Sequence, residues 1–409
     1  MSRFLKIFLG VLTAIGGFVD IGDLVANAET GARFGLGLAW VVLVGVVGIV
    51  VYAEMAGRVA ASSGRPVFDL VRERLGPRVA LVNLLASFFI NFLTLAAELA
   101  GVAIALSLLA GVSYVLLVPA VAFLVWVVVW RMSFGAIEHV FGIMGLALLV
   151  FVVALVHLSP DWTSMLHEAT HPALPTEETP FTYAFFAIAL FGAAMTPYEV
   201  FFFSSGAVEE GWTRRDLATN RLNVYVGFPL GGLLSLAIMA VASQVLRPAG
   251  ISVGTLPQVV LPVAVVLGKV GLAVAILGVF AATFGAAIET GLSAGYTVAQ
   301  YLGWQWGKFV RPRDAPRFHL VVLVSIVLGA LFLLSGIDPI MVTEYSIVLS
   351  AAALPLTYFP ILVIANDPEY MGTLTNGKVL NAIAMTYLCI LTIVAVATVP
   401  LMIITKGGA

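Results

Sequence analysis

The chain has 409 residues, of which 61% are hydrophobic and 10% are charged, and its formal net charge is −2. Soluble domains carry roughly 25% charged residues, so this composition excludes a soluble globular enzyme and a disordered chain. The charge balance offers no basic field to nucleic acid, and the single cysteine, Cys389, excludes a disulfide framework. The sequence therefore predicts a multi-pass protein whose main partner is the lipid bilayer.

Eleven apolar stretches are long enough to cross a bilayer as helices, since a span needs roughly 20 mostly apolar residues. Lipid cannot satisfy free backbone groups, so we expect an all-α protein with one transmembrane domain over residues 1–409. The stretches cover residues 8–28, 35–57, 79–109, 114–130, 137–158, 181–206, 223–246, 268–302, 318–335, 339–365 and 379–404.

Lysine and arginine predict the orientation. With a cytoplasmic N-terminus, 16 of the 20 Lys and Arg residues fall at the cytoplasmic ends of the spans. Cytoplasmic segments of membrane proteins carry this excess of basic residues. The pattern predicts a bacterial inner-membrane protein whose N-terminus is cytoplasmic and whose C-terminus, after eleven spans, is outside.

Two spans are interrupted near their middle, at residues 16–23 and 192–199. Glycine weakens a helix and proline cannot donate its amide, so each segment is a predicted break. The breaks fall in the first helix of two five-helix halves, residues 8–158 and 181–365, which precede a final helix at 379–404. Matching breaks in inverted halves indicate a transporter site near the bilayer midplane.

Asp20 and Asp23 lie in the first break, on either side of Gly22. Charge at bilayer depth is costly and therefore indicates function. An unwound turn would place backbone carbonyls beside both carboxylates, which is an oxygen site suited to a hard cation. The alternative is a pair of buried acids that are hydrogen-bonded to loose helix ends.

Three further acids, Glu98, Glu199 and Glu289, lie in or beside the third, sixth and eighth spans. Each is a candidate for ion coupling or for the ion pathway. A protonated acid that is bonded to a neighbouring helix explains each one equally well. Ser346 offers a neutral oxygen early in the tenth span, where polar contact between helices is the alternative.

A metalloprotease motif, H-E-x-x-H, occurs in the predicted outer loop as His167, Glu168 and His171. On a helix it places two imidazoles on one face with a general base between them. A catalytic zinc needs a third protein ligand and a dry cleft, and this short loop is followed at once by Pro172 and Pro175. A short surface helix that begins near Asp161 is the simpler interpretation.

Several segments, taken in order, resemble the Nramp family of divalent metal ion transporters over nearly the whole chain. Residues 17–23, Gly-Phe-Val-Asp-Ile-Gly-Asp, resemble the Asp-Pro-Gly-Asn segment of that family, and residues 193–199, Ala-Ala-Met-Thr-Pro-Tyr-Glu, resemble its Ala-x-x-Met-Pro-His-Asn break. Residues 98–101, 290–295 and 349–355 are similar to its third, eighth and tenth helices. The resemblance implies a divergent prokaryotic branch with a LeuT-type inverted five-plus-five fold and alternating access.

The resemblance also assigns roles to single residues. Asp20 stands at the metal-binding aspartate of the family, and Ala193 stands where a backbone carbonyl is offered. Asp23 replaces the usual asparagine, and Thr196 replaces the metal-binding methionine. Two carboxylates and a hydroxyl, without a thioether, favour Mg²⁺ or Mn²⁺ over Fe²⁺ or Cd²⁺. We therefore expect Asp20, Asp23 and Thr196 to be metal ligands, assisted by Ala193, Tyr198 and Ser346.

Proton coupling of the Nramp type is not expected. Leu95 stands where the family has an aspartate one turn before Glu98, and Tyr198 stands where it has a histidine. The ninth span, residues 319–335, holds no arginine, although basic residues there serve the family's proton route. A chain of titratable groups needs more than one member, so Glu98 alone does not form a relay.

The sequence thus predicts a monomeric secondary transporter of a small inorganic ion, with no cofactor and no nucleic-acid partner. A hard divalent cation is the first candidate. Bicarbonate is the alternative, held at the positive helix N-termini after Gly22 and Pro197 while the two aspartates bind a coupling cation. A receptor with the same fold and the metalloprotease are more distant alternatives.

Overall fold

The computed structural model describes Val11, Ile15 and residues 18–132 and 134–408. Within that part of the chain every regular element is helical, and ten segments are long and apolar enough to cross a bilayer. These ten correspond to the second to eleventh predicted spans. The start of the first predicted span, including Gly16 and Gly17 of its break, lies outside the described residues, so the total of eleven stays a prediction.

The helices are numbered here in chain order. Their bounds are α1 Ile21–Phe34, α2 Ala39–Ser63, α3 Val67–Leu75, α4 Pro77–Ala110, α5 Tyr114–Arg131, α6 Phe134–Gly145, α7 Val150–Leu158, α8 Trp162–Thr170, α9 Pro180–Ala194, α10 Pro197–Glu209, α11 Leu217–Leu222, α12 Phe228–Val245, α13 Leu256–Leu302, α14 Pro316–Leu334, α15 Pro339–Ala365, α16 Pro368–Met371 and α17 Lys378–Ile404. A 3₁₀ turn joins α6 to α7 and a π-helical turn joins α11 to α12, so each pair forms one span.

The helix α13 extends beyond the eighth predicted span. The span is predicted over residues 268–302, and α13 as a whole begins at Leu256, where Thr255 and Gln258 form a capping box. Residues 256–267 form a separate helical segment that precedes the predicted start, and the two helices meet at Gly268. Gly268 produces a kink with φ 66° and ψ −156°, a conformation that its missing Cβ permits.

The two interrupted helices lie at the centre of the bundle. In the sixth span, α9–α10, 94% of the most apolar stretch is buried, whereas the corresponding figure for α17 is 17%. The first described helix, α1, packs against α9, α4, α13 and α15. The breaks that precede α1 and α10 are therefore enclosed by other helices, while α17 presents its apolar side chains to lipid.

Candidate ion-binding cavity

Asp20 forms the first break by capping α1. Its backbone is extended, and its Oδ1 accepts the Asp23 N–H at 2.8 Å. A carboxylate at this position satisfies a free amide and interacts favourably with the positive end of the helix dipole. Oδ2 accepts the Tyr198 hydroxyl at 3.3 Å, and the residue is only 2% exposed. One carboxylate is thus held between the two broken helices by neutral donors.

The second break arises from proline chemistry. Pro197 has no N–H, so the carbonyl of Ala193, four residues earlier, loses its intrahelical donor. Thr196 is the extended N-cap of α10, and its hydroxyl donates to Glu199 Oε2 at 3.4 Å instead of capping the helix. The break therefore offers a carbonyl oxygen and a hydroxyl oxygen close together in the chain.

A small cavity of about 260 Å³ lies where the breaks meet α4 and α15. Only about 10 Å³ of it can hold the centre of a water molecule, which is space for about one water-sized particle. Asp20 supplies the one carboxylate of the lining, and the side chains around it supply five hydroxyls and no sulfur. The lining residues are Asp20, Ile21, Gly22, Thr94, Ala97, Gly192, Ala193, Thr196, Thr343, Ser346, Ile347 and Ser350.

Glycine at position 192 is what lets α9 approach α15 beside the cavity. A Cβ at Gly192 would lie 2.8 Å from the carbonyl oxygen of Ile347, which is a backbone atom that cannot move aside. The wall of the cavity on this side is therefore backbone against backbone, and the hydroxyl of Ser346 lies on the same wall.

Asp23 does not line the cavity, which corrects the predicted two-carboxylate site. The helix restarts immediately after Asp20, so Asp23 lies in its first turn and not in an unwound segment. Its Oδ2 accepts the Ser235 hydroxyl at 2.5 Å, and its Oδ1 accepts the Asn27 amide at 2.8 Å. Asp23 therefore faces α12, on another side of α1.

Four of the six predicted ion-binding residues line the cavity: Asp20, Ala193, Thr196 and Ser346. A fifth, Tyr198, reaches it through the hydrogen bond to Asp20.

The three candidate pathway acids surround the breaks. Oε1 of Glu98 accepts the Ile21 N–H at 3.0 Å, and Glu199 contacts Thr196. Glu289 lies within electrostatic reach of both acids. None of the three lines the cavity itself.

Sequence reasoning missed three hydroxyls of the lining, Thr94, Thr343 and Ser350. Thr94 and Ser346 are joined by a hydrogen bond of 2.7 Å. The missed signal was spacing, because Thr343, Ser346 and Ser350 recur at helical intervals and Thr94 precedes Glu98 by one turn.

Met195, the one sulfur at the second break, points away from the cavity. A Cβ built on Gly48 of α2 would lie 2.6 Å from its Sδ, so the thioether packs against α2. The cavity offers oxygen ligands alone.

The H-E-x-x-H segment forms a short helix that serves structure. Asp161 caps α8, and the rings of His167 and His171 stack with centroids 4.3 Å apart. Glu168 accepts a hydrogen bond from Arg247 at 2.5 Å. In the described part of the chain, no group of three or more His, Cys, Asp or Glu residues could hold a metal. The third ligand that a catalytic zinc requires is therefore missing there.

Broken helices that meet at a small polar cavity inside a bundle of spans define a LeuT-type secondary transporter. Solved structures share the fold. One is a manganese transporter from Eremococcus coleocola with TM-score 0.77 and 17% identity, covering 97% of this chain and 87% of that one. Another is a nucleobase-cation-symport-1 family transporter with TM-score 0.63 and 15% identity, covering 97% and 90%.

The family model described as "Natural resistance-associated macrophage protein-like" matches residues 10–400, and the chain belongs to the Nramp family. Two relatives carry the name "Divalent metal cation transporter MntH". The one from Pectobacterium carotovorum subsp. carotovorum (strain PC1) is 26% identical over 392 residues, covering 92% of this chain and 90% of its own. The one from Erwinia tasmaniensis is 25% identical over 378 residues, covering 89% and 87%.

Family membership confirms the predicted fold class and shows that the chain is a membrane transporter and not an enzyme. The metalloprotease alternative built on His167, Glu168 and His171 is wrong. Those residues stabilise the surface helix α8 and its contact with Arg247.

Proposed function

We propose that this chain is a secondary transporter that carries a hard divalent cation, Mn²⁺ or Mg²⁺, across the bacterial inner membrane by alternating access. The observation that carries the proposal is the position of Asp20. It is the single carboxylate in the lining of a small cavity at the meeting point of two broken helices, which five hydroxyls and a freed carbonyl also line. The names of the MntH relatives support a divalent metal substrate.

The donor set favours a hard cation. Carboxylate, carbonyl and hydroxyl oxygens suit Mg²⁺ and Mn²⁺, whereas a thioether would favour softer ions. Asp20, Ala193, Thr196 and Ser346 supply these three kinds of oxygen. The small cavity volume favours Mn²⁺ over Mg²⁺, because Mg²⁺ gives up its water shell reluctantly.

Negative charge at both helix N-termini argues against the bicarbonate alternative. The N-terminus of α1 is occupied by the Asp20 carboxylate, and the first turn of α10 contains Glu199. An anion at either place would meet a carboxylate instead of a free helix dipole. The same charges attract a cation.

We also propose that transport proceeds without an Nramp-type proton relay. Leu95 is fully buried and apolar, and Tyr198 donates its hydroxyl to Asp20. After Arg317 in its first turn, α14 contains no arginine. Glu98 is therefore the one residue kept from the family's relay, and its Oε1 is occupied by the Ile21 N–H.

Flux into proteoliposomes tests both proposals. Uptake of Mn²⁺, Mg²⁺, Ca²⁺, Cd²⁺ and bicarbonate is measured with and without a pH gradient, with a pH dye in the lumen. We expect uptake of Mn²⁺, weaker uptake of Mg²⁺, little uptake of Cd²⁺, and no change in lumenal pH. Bicarbonate uptake in the absence of any divalent cation would overturn the choice of substrate. Mn²⁺-driven acidification that a Glu98→Gln variant abolishes would overturn the absence of proton coupling.

A further inference from the structure

A polar stripe leads from the cavity along the face that α13 turns towards α10. Glu289, Ser293, Thr297 and Gln300 are spaced by four, four and three residues, so they share one face of α13. Ser293 donates to the carbonyl of Tyr198 at 3.3 Å, and Gln300 donates to Ser205 at 2.9 Å. These bonds fix the stripe against α10 from its first turn to its third.

Two carboxylates meet at the cavity end of this stripe. Glu199 lies in the first turn of α10 and is only 4% exposed. Glu289 lies one helical turn before Ser293 on α13 and is within electrostatic reach of Glu199 and Tyr198. Thr196 connects this pair to the cavity, because its side chain lines the cavity and donates to Glu199.

A buried oxygen without a partner points to a ligand at the same place. Asn91 is 1% exposed, and its amide donates to Ser293 at 3.3 Å. Its Oδ1 has no hydrogen-bond partner among the described residues. Asn91 and Glu98 lie seven residues apart on one face of α4, and Glu98 is within electrostatic reach of Glu289. That face of α4 therefore looks towards the two carboxylates. Asn91 contacts Ser293, one turn after Glu289, so its unpaired oxygen and the two acids offer hard donors that a cation would complete.

We propose that Glu199 and Glu289, with Asn91 Oδ1, form a second site for a hard divalent cation. The ion occupies it after leaving Asp20 and before it moves along α10 towards the arginine-rich ends of the helices. This inference rests on the proposed function and adds a second binding site to the proposed transport pathway. Thr196 belongs to both sites, so the ion can pass between them without losing all of its oxygen ligands.

Mn²⁺ binding to the full chain in lipid nanodiscs tests the inference, with free Mn²⁺ followed by its electron paramagnetic resonance signal. In an Asp20→Asn variant we expect weaker binding to persist. Adding Glu199→Gln and Glu289→Gln should then weaken the remaining affinity at least tenfold. Adding Glu177→Gln, which removes an exposed carboxylate of the outer loop, should leave that affinity unchanged.

The outcomes separate the two proposals. If Asp20→Asn removes all Mn²⁺ binding, or if the two glutamine substitutions leave the remaining affinity unchanged, the second site is wrong and the cavity stands. If native protein binds no Mn²⁺, both the second site and the choice of Mn²⁺ as substrate are wrong. A Glu289→Asp variant on the Asp20→Asn background keeps the charge and should retain binding, which excludes general misfolding as the cause of a loss.

Discussion

Asp20 and Asp23 are three residues apart, both are almost fully buried, and the structure gives them different surroundings. Asp20 caps α1 and faces a cavity that borders both helix breaks. Asp23 lies inside the first turn and is held by Ser235 and Asn27. The difference shows that burial of a charge in a membrane span does not by itself identify an ion ligand. A ligand needs oxygens that can be released from their present partners, next to space for the ion.

The largest expected difference comes from changing each aspartate to asparagine. Asp20→Asn should lower Mn²⁺ uptake at least 100-fold, because it removes the one negative charge of the cavity. Asp23→Asn should stay within about threefold of native uptake, because the amide can donate to Ser235 while its oxygen accepts from Asn27. A factor of 100 corresponds to about 2.7 kcal/mol. Uptake into matched proteoliposomes measures both, and equal losses would contradict the comparison.

A change of ligand chemistry sharpens the comparison on the Asp20 side. Thr196→Met would place sulfur in a cavity lined by oxygens, so Cd²⁺ uptake should rise relative to Mn²⁺ by about tenfold. That shift needs only about 1.4 kcal/mol of differential binding. Both ions are measured in the same vesicles. A constant Cd²⁺/Mn²⁺ ratio with lower uptake of both would show that Thr196 is not a ligand.

A smaller effect is expected from the donor that holds Asp20. Tyr198→Phe removes the hydroxyl that Asp20 Oδ2 accepts at 3.3 Å. One such bond contributes about 0.5–1.5 kcal/mol, so the Mn²⁺ concentration for half-maximal uptake should change two- to tenfold. Trp126→Phe, at an aromatic residue of α5 that packs on Trp130, is the control and should leave uptake unchanged. If Tyr198→Phe leaves the half-maximal Mn²⁺ concentration unaltered, Tyr198 does not contribute to ion binding.

The smallest effect on transport should come from the partner of Asp23. Ser235→Ala leaves Asp23 Oδ2 without its donor, which should cost about 1–3 kcal/mol of stability. Thermal unfolding of the detergent-solubilised protein should therefore shift to lower temperature. Mn²⁺ uptake at about 25 °C should remain near native. A loss of uptake as large as that of Asp20→Asn would place Asp23 in the transport mechanism.

The spans and their breaks could be predicted from the sequence because both are local. An apolar run of sufficient length must form a helix in lipid, and Pro197 removes an amide wherever it stands. The predicted ion-binding positions Asp20, Ala193 and Thr196 line the cavity because they lie at the two breaks.

The orientation of Asp23 could not be predicted, because it depends on the residue at which α1 begins. Each residue turns an α-helix by about 100°, so a helix that restarts at Ile21 directs Asp23 to a different neighbour from one that restarts later. The partners Ser235 and Thr94 come from other helices, and only packing brings them together with Asp23 and Ser346. Sequence patterns within one span carry no information about such pairs.

The far ends of the two broken helices are tied to different parts of the molecule. Glu209, at the end of α10, accepts the Tyr296 hydroxyl at 2.6 Å and the N–H groups of Lys308 and Phe309 at 2.6 and 3.0 Å. The Lys308 ammonium in turn donates to the carbonyl of Val129 in the last turn of α5 and to that of Met132 just after it.

The far end of α1 is anchored elsewhere. Arg33 bonds Glu178 of the outer loop at 2.7 Å and the carbonyl of Gly408 at 2.6 Å. Each half-helix is therefore held in place at the end far from its break and is free to bend at the break. Such an arrangement would concentrate bending at Asp20 and Thr196. The bound ion would therefore lie at the point where each helix bends. Spin labels at the two anchored ends should keep constant separations from their anchors throughout the transport cycle.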